Sequence, residues 1–249
     1  MRRNLICYFV IFSFACISCT KEKPGLVPNT NTDLTADPPA IDPVSLVDST
    51  NTTFLALGDS YTFASSVDTS ERFPTQAANL LRKNLVSLGL PEYLAVPGWT
   101  THSLLKALEA KGAMQQYHIV TLLIGVNDTY KIGKLQDYRE TFTMLIQKSV
   151  ILAGNKPARV FVLSIPDYSV TPFVAPRDKG AISKLIDDYN AINYEIATSY
   201  KCSYIDITGI SRLASFDATL LANDGLHPSG TQYALWVKLL NEKIRKVLR

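Results

Sequence analysis

Short apolar segments of strand length alternate along this chain with longer amphipathic segments, and this alternation limits the fold more than any other feature. The sequence predicts strands over 53–57, 92–96, 119–125, 158–165 and 203–207. Helical spacing predicts helices over 73–88, 103–114, 134–154, 181–200 and 231–248. Near-continuous hydrophobicity in the strands is typical of a parallel sheet that helices cover on both faces. The pattern therefore predicts an α/β fold, a three-layer α/β/α sandwich around a mostly parallel five-stranded sheet with right-handed crossovers.

The composition is that of a globular protein with a sizeable core. The chain has 249 residues, of which 47% are hydrophobic, and its formal net charge is +3. A charge this small, without a basic run, gives no indication of a nucleic-acid partner. We expect one domain over 51–249 and a monomer. In the last helix, Leu235, Leu239 and Ile244 are predicted to face the core.

The N-terminus has the layout of an export signal. Arg2 and Arg3 precede an apolar stretch over 5–17 that is too short for a permanent membrane span. The following "CISC", before "TKEK", resembles a bacterial lipoprotein cleavage box in which Cys19 receives the lipid. Cys16 stands where that box usually has leucine, so an ordinary signal peptide cut nearby is the alternative. We expect residues 1–19 to form a lipoprotein-type signal peptide with Cys19 as its lipidation residue. The protein would then be lipid-anchored to a bacterial membrane, on its periplasmic or cell-surface face.

Residues 20–50 are rich in Pro, Thr, Asn and Asp and show no periodicity, which predicts a flexible tether. Among the four cysteines, Cys202 is the one that falls inside the predicted domain. It has no partner there, so we expect no disulfide and predict a small buried side chain.

Four polar motifs follow predicted strands. Gly58-Asp59-Ser60 follows the first, "VPGWTTHS" with Gly98 the second, and "GVND" over 125–128 the third. The fourth, "NDGLHPSG" over 223–230, lies between the last strand and the last helix. Ligands of parallel α/β sheets bind beyond the carboxyl ends of the strands, so we expect all four motifs to meet at one edge of the sheet.

A serine hydroxyl becomes a nucleophile when a nearby base takes its proton, and the chain has three histidines. His118 begins the third strand, at the opposite edge of the sheet. His102 lies at the correct edge but has no carboxylate close in sequence. His227 follows Asp224 by three positions, which allows that carboxylate to orient the imidazole toward Ser60. By itself, "DGLHPSG" is equally consistent with a turn that caps the next helix.

Acyl transfer also needs donors for the developing oxyanion. The backbone N–H of Ser60, the backbone N–H of Gly98 and the side-chain amide of Asn127 are the candidates, although a lone glycine or asparagine is usually a turn former. Asp59 is predicted to cap a helix, and Asp128 to brace its own loop. No residues have metal-ligand spacing and no loop is built to cradle phosphate, so we expect no metal and no cofactor.

Taken together, "GDSYT", "PGWTT", "GVND" and "DGLHPS" resemble the four blocks of the SGNH, or GDSL-type, hydrolases. The resemblance covers most of 52–249 in the right order. It implies a flavodoxin-like fold, Ser60 as the nucleophile, Asp224 and His227 as its partners, and an oxyanion hole formed by Ser60, Gly98 and Asn127. The absence of a G-x-S-x-G elbow argues against the α/β-hydrolase alternative.

We therefore expect a carboxylic-ester hydrolase that forms a covalent acyl-enzyme and acts on a small or carbohydrate-linked ester. An acyltransferase acting on a surface glycan, a lysophospholipase- or thioesterase-like activity and a non-catalytic binding lipoprotein are the alternatives. Phe63 and Ala64 stand where many relatives have a glycine. Trp99 either lines a substrate cleft or packs against the core. The segment 164–173, with its two aromatic residues Tyr168 and Phe173, either contacts substrate or forms a rigid lid.

Overall fold

The computed structural model describes residues 52–84, 86–130, 135–174 and 178–248. Its strands are β1 (Phe54–Gly58), β2 (Glu92–Ala95), β3 (Ile119–Leu123), β4 (Val160–Leu163) and β5 (Ser203–Ile205). They form one sheet in the order β2-β1-β3-β4-β5, and each neighbouring pair is parallel. The predicted five-stranded sheet is confirmed, and its strand order is the flavodoxin-like one.

Helices connect these strands and cover the sheet. They are α1 (Ser60–Phe63), α2 (Phe73–Lys83), α3 (Thr101–Lys111), α4 (Leu135–Leu152), α5 (Lys179–Ser199), α6 (Thr208–Arg212) and α7 (Gly230–Val247). Helix α2 packs against α7, whereas α4 packs between α3 and α5. Right-handed crossovers place these two groups on opposite faces of the sheet, which gives the predicted three layers.

The helix predicted over 73–88 is shorter than expected. It ends at Lys83, after which Leu88 forms a parallel backbone bridge with Thr52. The Arg82 guanidinium donates to the carbonyl oxygens of Leu88 at 2.7 Å and Gly89 at 2.6 Å. Arg82, in the last turn of α2, therefore fixes the segment that leads from this helix to β2. Helical spacing in the sequence does not reveal such a contact.

The buried face of α7 differs from the predicted one. Ile244 is buried as expected, but Leu239 is 39% exposed and Leu235 is half-buried. Trp236 and Leu240 lie on the buried face instead. The prediction followed leucines and overlooked the tryptophan, whose large ring determines which face of the helix packs inward.

The predicted signal peptide 1–19, the lipidation residue Cys19 and the tether 20–50 lie outside the described residues. Cys202 is buried as predicted, and burial raises the pKa of its thiol to about 12. Within the ranges that the structure covers, no helix is long and apolar enough to cross a membrane.

Candidate active site

Three of the four polar motifs begin side by side at the carboxyl edge of the sheet. In the strand register, Gly58 at the end of β1 is paired with Ala95 of β2 and with Leu123 of β3. The loops that follow these three residues therefore leave the sheet at the same level. Strands β1 and β3 are also the pair at which the chain order reverses, the position where ligands bind in open α/β sheets.

The first motif turns sharply from β1 into α1. A Cβ atom at Gly58 would overlap the Thr62 side chain and the Leu123 carbonyl oxygen, so this close approach requires glycine. Asp59 is the N-cap of α1, and its carboxylate accepts a hydrogen bond from the Tyr61 N–H at 3.0 Å. The predicted capping role of Asp59 is thereby confirmed. Ser60 begins the helix and is 8% exposed.

Asp59 is an unusual carboxyl group because it lies inside the protein. Its exposure is 1%, and burial raises its pKa to about 8. Repulsion from Asp128 adds to this increase, and the hydrogen bond from the Tyr61 N–H opposes it. A neutral, protonated Asp59 beside Ser60 is therefore expected near neutral pH.

A chain of hydrogen bonds joins the first motif to the fourth. The Ser60 hydroxyl and His227 Nε2 are 2.9 Å apart, and His227 Nδ1 lies 2.6 Å from Asp224 Oδ2. We call this connection the relay. It joins residues that are 167 positions apart in sequence, and the imidazole at its centre is only 12% exposed. An imidazole held between a hydroxyl and a carboxylate can accept the hydroxyl proton while the carboxylate stabilises the resulting charge.

Asp224 is held by several donors. Its Oδ1 accepts the backbone N–H groups of Leu226 and His227, each at 2.9 Å. Its Oδ2 accepts the Ser66 hydroxyl at 2.7 Å in addition to the His227 ring. Partial burial would raise the pKa of Asp224, but these hydrogen bonds, that of the His227 ring first, hold it well below its usual range. The carboxylate is therefore ionised at neutral pH.

The loop that carries His227 is shaped by its own backbone. The Ala222 N–H donates to the His227 carbonyl at 2.8 Å, and Gly225, at a φ of 67°, donates to the Ala222 carbonyl at 3.0 Å.

Farther along, the Tyr233 hydroxyl of α7 donates to the Tyr61 carbonyl at 3.0 Å. The Tyr61 ring in turn lies 5.1 Å from the His227 ring, centroid to centroid. Tyr61 of α1 therefore contacts both α7 and the loop that carries His227.

The second and third motifs are joined by hydrogen bonds. The Asn127 amide donates to the Trp99 carbonyl at 2.9 Å, next to Gly98, whose φ of 82° needs glycine's conformational freedom. Asp128 accepts the Thr101 N–H at 3.0 Å and the Thr101 hydroxyl at 2.7 Å. Asp128 therefore braces the start of α3, a contact beyond the role predicted for it in its own loop.

The other two histidines are placed away from the relay. His118 Nδ1 lies 3.3 Å from the Thr53 N–H, at the amino end of β1 and β3, in agreement with the structural role expected of it. Burial, then the cations Arg159 and Lys156, lower the pKa of His118. His102 is exposed on the first turn of α3, and the histidine that contacts Ser60 is His227.

The loop after β4 is fixed by an ion pair between the buried Asp167 carboxylate and the partly exposed Arg212. Asp167 accepts hydrogen bonds from Arg212 Nε at 2.9 Å and from the Ser183 hydroxyl at 2.5 Å. Burial opposes ionisation of Asp167, but these donors keep its pKa below the usual value. Within this loop Tyr168 is buried, whereas Phe173 is 58% exposed. Of the two aromatic residues, Phe173 is therefore the one available to a ligand.

Sequence reasoning missed Ser66 and Thr101. Ser66 lies outside the four motifs, and Thr101, although it ends "PGWTT", was given no role there. Each acts through a hydrogen bond to a residue distant in sequence. The one available indication for Ser66 is its position a few residues after Ser60. In the ranges covered by the structure, no group of three or more His, Cys, Asp or Glu side chains is arranged to hold a metal ion.

The fold is shared with several solved structures. The chain aligns with the psychrotrophic esterase EstA from a Pseudoalteromonas species at 18% identity, covering 78% of this chain and 97% of EstA, with a TM-score of 0.60. Axe2, an acetylxylan esterase from Geobacillus stearothermophilus, aligns at 17% identity, 79% and 96% coverage and a TM-score of 0.60. TesA aligns at 18% identity, 78% and 99% coverage and a TM-score of 0.60. Because these identities are low, the structural similarity to the three proteins establishes the fold alone.

Family membership follows from the sequence itself. Residues 56–235 match the GDSL-like lipase/acylhydrolase family, and the chain belongs to this family. It is accordingly a hydrolase acting on ester bonds. A sequence comparison with curated proteins gave no match.

Proposed function

We propose that Ser60 is the nucleophile of this ester hydrolase, with His227 as its base and Asp224 as the carboxylate that orients the base. The observation that carries the proposal is the relay, in which Ser60 Oγ lies 2.9 Å from His227 Nε2 and Nδ1 lies 2.6 Å from Asp224. Both distances are those at which proton transfer along a hydrogen bond takes place. The carboxylate, ionised at neutral pH, can stabilise the imidazolium that forms.

In the first half of the reaction, Ser60 Oγ attacks the ester carbonyl carbon and its proton passes to His227 Nε2. The tetrahedral intermediate collapses, the carbon–oxygen bond to the alcohol breaks, and the imidazolium returns the proton to the departing alkoxide. The acyl group is then bound to Ser60 as an ester. In the second half, water gives a proton to His227 and its oxygen attacks the acyl-enzyme, which releases the carboxylic acid and restores the Ser60 hydroxyl.

For the oxyanion we propose three donors: the backbone N–H of Ser60, the backbone N–H of Gly98 and the Asn127 amide. The Asn127 side chain donates one N–H to the Trp99 carbonyl, which leaves the other N–H of the same amide for a ligand. This hydrogen bond also fixes the loop that presents Gly98. Ser60 stands at the start of α1, where the backbone N–H groups have no partner within the helix.

The substrate class that we propose is a small acyl group on a carbohydrate. Exposed aromatic side chains lie in the segments that follow two neighbouring strands, β3 and β4: Tyr130 is 40% exposed and Phe173 58%. Phe63, at the end of α1, is 37% exposed, but the Arg72 guanidinium lies over its ring, 4.4 Å from the centroid. Aromatic faces at the edge of a site suit sugar rings, whose C–H faces are apolar. The likeness in fold to the acetylxylan esterase Axe2 supports the same class. We further propose that the enzyme is exported and anchored through a lipid on Cys19, as the N-terminal sequence predicts.

The decisive experiment compares four variants with p-nitrophenyl acetate as substrate. Ser60→Ala and His227→Ala should lose turnover almost completely, and a fluorophosphonate probe should label the unmodified protein but not Ser60→Ala. Ser65→Ala and His118→Ala remove the same groups elsewhere and should remain active. Turnover by folded Ser60→Ala would disprove the assignment. Acetylated xylo-oligosaccharides and p-nitrophenyl octanoate test the substrate class, and a preference for the octanoate would contradict it.

A further inference from the structure

The two ends of the relay are held by one short segment of the chain. Ser60 contacts His227 from the first turn of α1, and in the same segment the Ser66 hydroxyl donates to Asp224 Oδ2 at 2.7 Å. The hydrogen bonds therefore connect Ser60, His227, Asp224 and Ser66 in series. Both ends of this series lie in segment 60–66. Asp224 is hydrogen-bonded not only to His227 but also to the turn that follows α1, the helix that carries Ser60.

The backbone of this segment turns back so that Ser66 can reach Asp224. The Ser60 carbonyl accepts the N–H groups of Ala64 and Ser65, which ends α1 in a tight turn. Ala64 has a φ of 56° and Ser66 a φ of 67°, in the left-handed region that residues other than glycine seldom adopt. Glycine would adopt this backbone with less strain at position 66, but it would provide no hydroxyl for Asp224.

The Ser66 hydroxyl binds the carboxylate oxygen that faces the histidine. Asp224 Oδ2 receives both this hydroxyl and His227 Nδ1, whereas Oδ1 receives only backbone N–H groups. Because the Asp224 side chain is 30% exposed, water would compete for Oδ2 if the hydroxyl were absent. The hydroxyl of Ser66, itself an exposed residue, therefore occupies a position on Oδ2 that water could otherwise take.

We propose that Ser66 is a positioning residue of this enzyme. Its hydroxyl holds Asp224 Oδ2 toward His227 Nδ1 and thereby keeps Nε2 directed at Ser60. The proposal rests on the proposed function, since it assigns Ser66 to the same catalytic group. Ser66 acts here through Asp224 and touches neither the substrate nor the reacting atoms.

Three substitutions distinguish the effect of losing the Ser66 hydroxyl from the effect of changing the strain in the backbone. Ser66→Ala removes the donor and keeps the left-handed strain, whereas Ser66→Gly removes the donor and relieves that strain. Ser66→Asn supplies an amide N–H, and asparagine tolerates left-handed backbone better than most residues. Ser65→Ala is the matched control, because it removes a hydroxyl from the same turn and leaves the bond to Asp224 in place.

We expect Ser66→Ala and Ser66→Gly to lower kcat by about tenfold with little change in KM, which corresponds to the loss of one hydrogen bond to a charged group. Ser66→Asn should regain part of this loss, and Ser65→Ala should match the unmodified protein. The low-field proton NMR resonance of His227 Nδ1–H reports its bond to Asp224 directly. This resonance should shift in the alanine and glycine variants but not in the control.

A Ser66→Gly protein with unchanged kcat and an unshifted Nδ1 resonance would overturn the proposal, since the serine would then serve only the turn. Thermal unfolding of each variant establishes that the protein compared is folded. Ser60→Ala in the same assay keeps the two proposals distinguishable. Turnover by Ser60→Ala would refute the proposed function itself, whereas an inactive Ser60→Ala beside fully active Ser66 variants would refute only the role of Ser66.

Discussion

Replacing Asp59 by asparagine tests whether a carboxyl group beside the proposed nucleophile is protonated in the folded protein. Asp59 is 1% exposed, and burial raises its pKa from the ordinary 3.8 to about 8. Asparagine has the same shape, is neutral at every pH, and its amide oxygen can accept the same hydrogen bond from the Tyr61 N–H. We therefore expect Asp59→Asn to fold normally and to differ from the unmodified protein in the pH dependence of its stability.

The sign follows from proton binding. Between about pH 4 and about pH 8 the folded protein holds a proton that the unfolded chain has released, so the free energy of unfolding falls as pH rises. The limiting slope is about 1.4 kcal/mol per pH unit, and the limiting change across the window is about 6 kcal/mol. The Asp59→Asn variant lacks this pH-dependent contribution to the free energy of unfolding. Its stability relative to the unmodified protein should therefore increase steadily from acid to mildly alkaline pH.

Urea unfolding followed by tryptophan fluorescence at a series of pH values measures this difference, because Trp236 is fully buried in the fold. The other titrating groups cancel between the two proteins. Asp217→Asn is the control. Asp217 is exposed, and hydrogen bonds from Thr219 lower its pKa. Its contribution to the free energy of unfolding is therefore present at higher pH and is lost as pH falls. Parallel stability curves for Asp59→Asn and the unmodified protein would refute a protonated Asp59.

Three further substitutions test other parts of the site. Gly58→Ala should destabilise the protein by about 2 kcal/mol or more, because the new methyl group overlaps Thr62 and a β3 carbonyl; an unchanged Tm would contradict this close contact. Asn127→Ala should lower kcat by about 10²-fold in steady-state assays, as expected for an oxyanion donor, and a change in KM alone would argue against that role. Asp224→Asn should lower kcat by about 10⁴-fold with the fold intact by circular dichroism, and near-normal turnover would exclude Asp224 from the reaction.

The sheet was predictable because its three central strands, β1, β3 and β4, are buried on both faces. Segments such as 119–125 and 158–165 contain apolar residues at nearly every position, and a parallel sheet covered by helices is the architecture that buries such strands. The ends of the elements were less predictable, since they depend on contacts made across the structure. The end of α2 at Lys83, for example, accompanies the binding of two later carbonyl groups by Arg82.

The pairing of Ser60 with His227 was predictable for a different reason. The carboxyl ends of parallel strands meet at one edge, so motifs that follow several strands must lie close together. The hydrogen bond between Ser66 and Asp224 was not predictable, because it requires a left-handed serine at a position where no sequence rule favours one. The hydrogen bond between Asp128 and Thr101 was not predictable either, because Thr101 begins α3, 27 positions earlier in the sequence.

The wide separation of Ser60 and His227 along the chain has a consequence for the moment at which catalysis begins. Helix α7 is anchored by the bond from Tyr233 to the Tyr61 carbonyl, and the loop before it carries the imidazole. A folding intermediate in which α7 has not yet docked would possess the sheet and Ser60 but would lack His227, its proposed base. Ester hydrolysis would then begin only after α7 has docked. The recovery of turnover during refolding should therefore report the docking of α7.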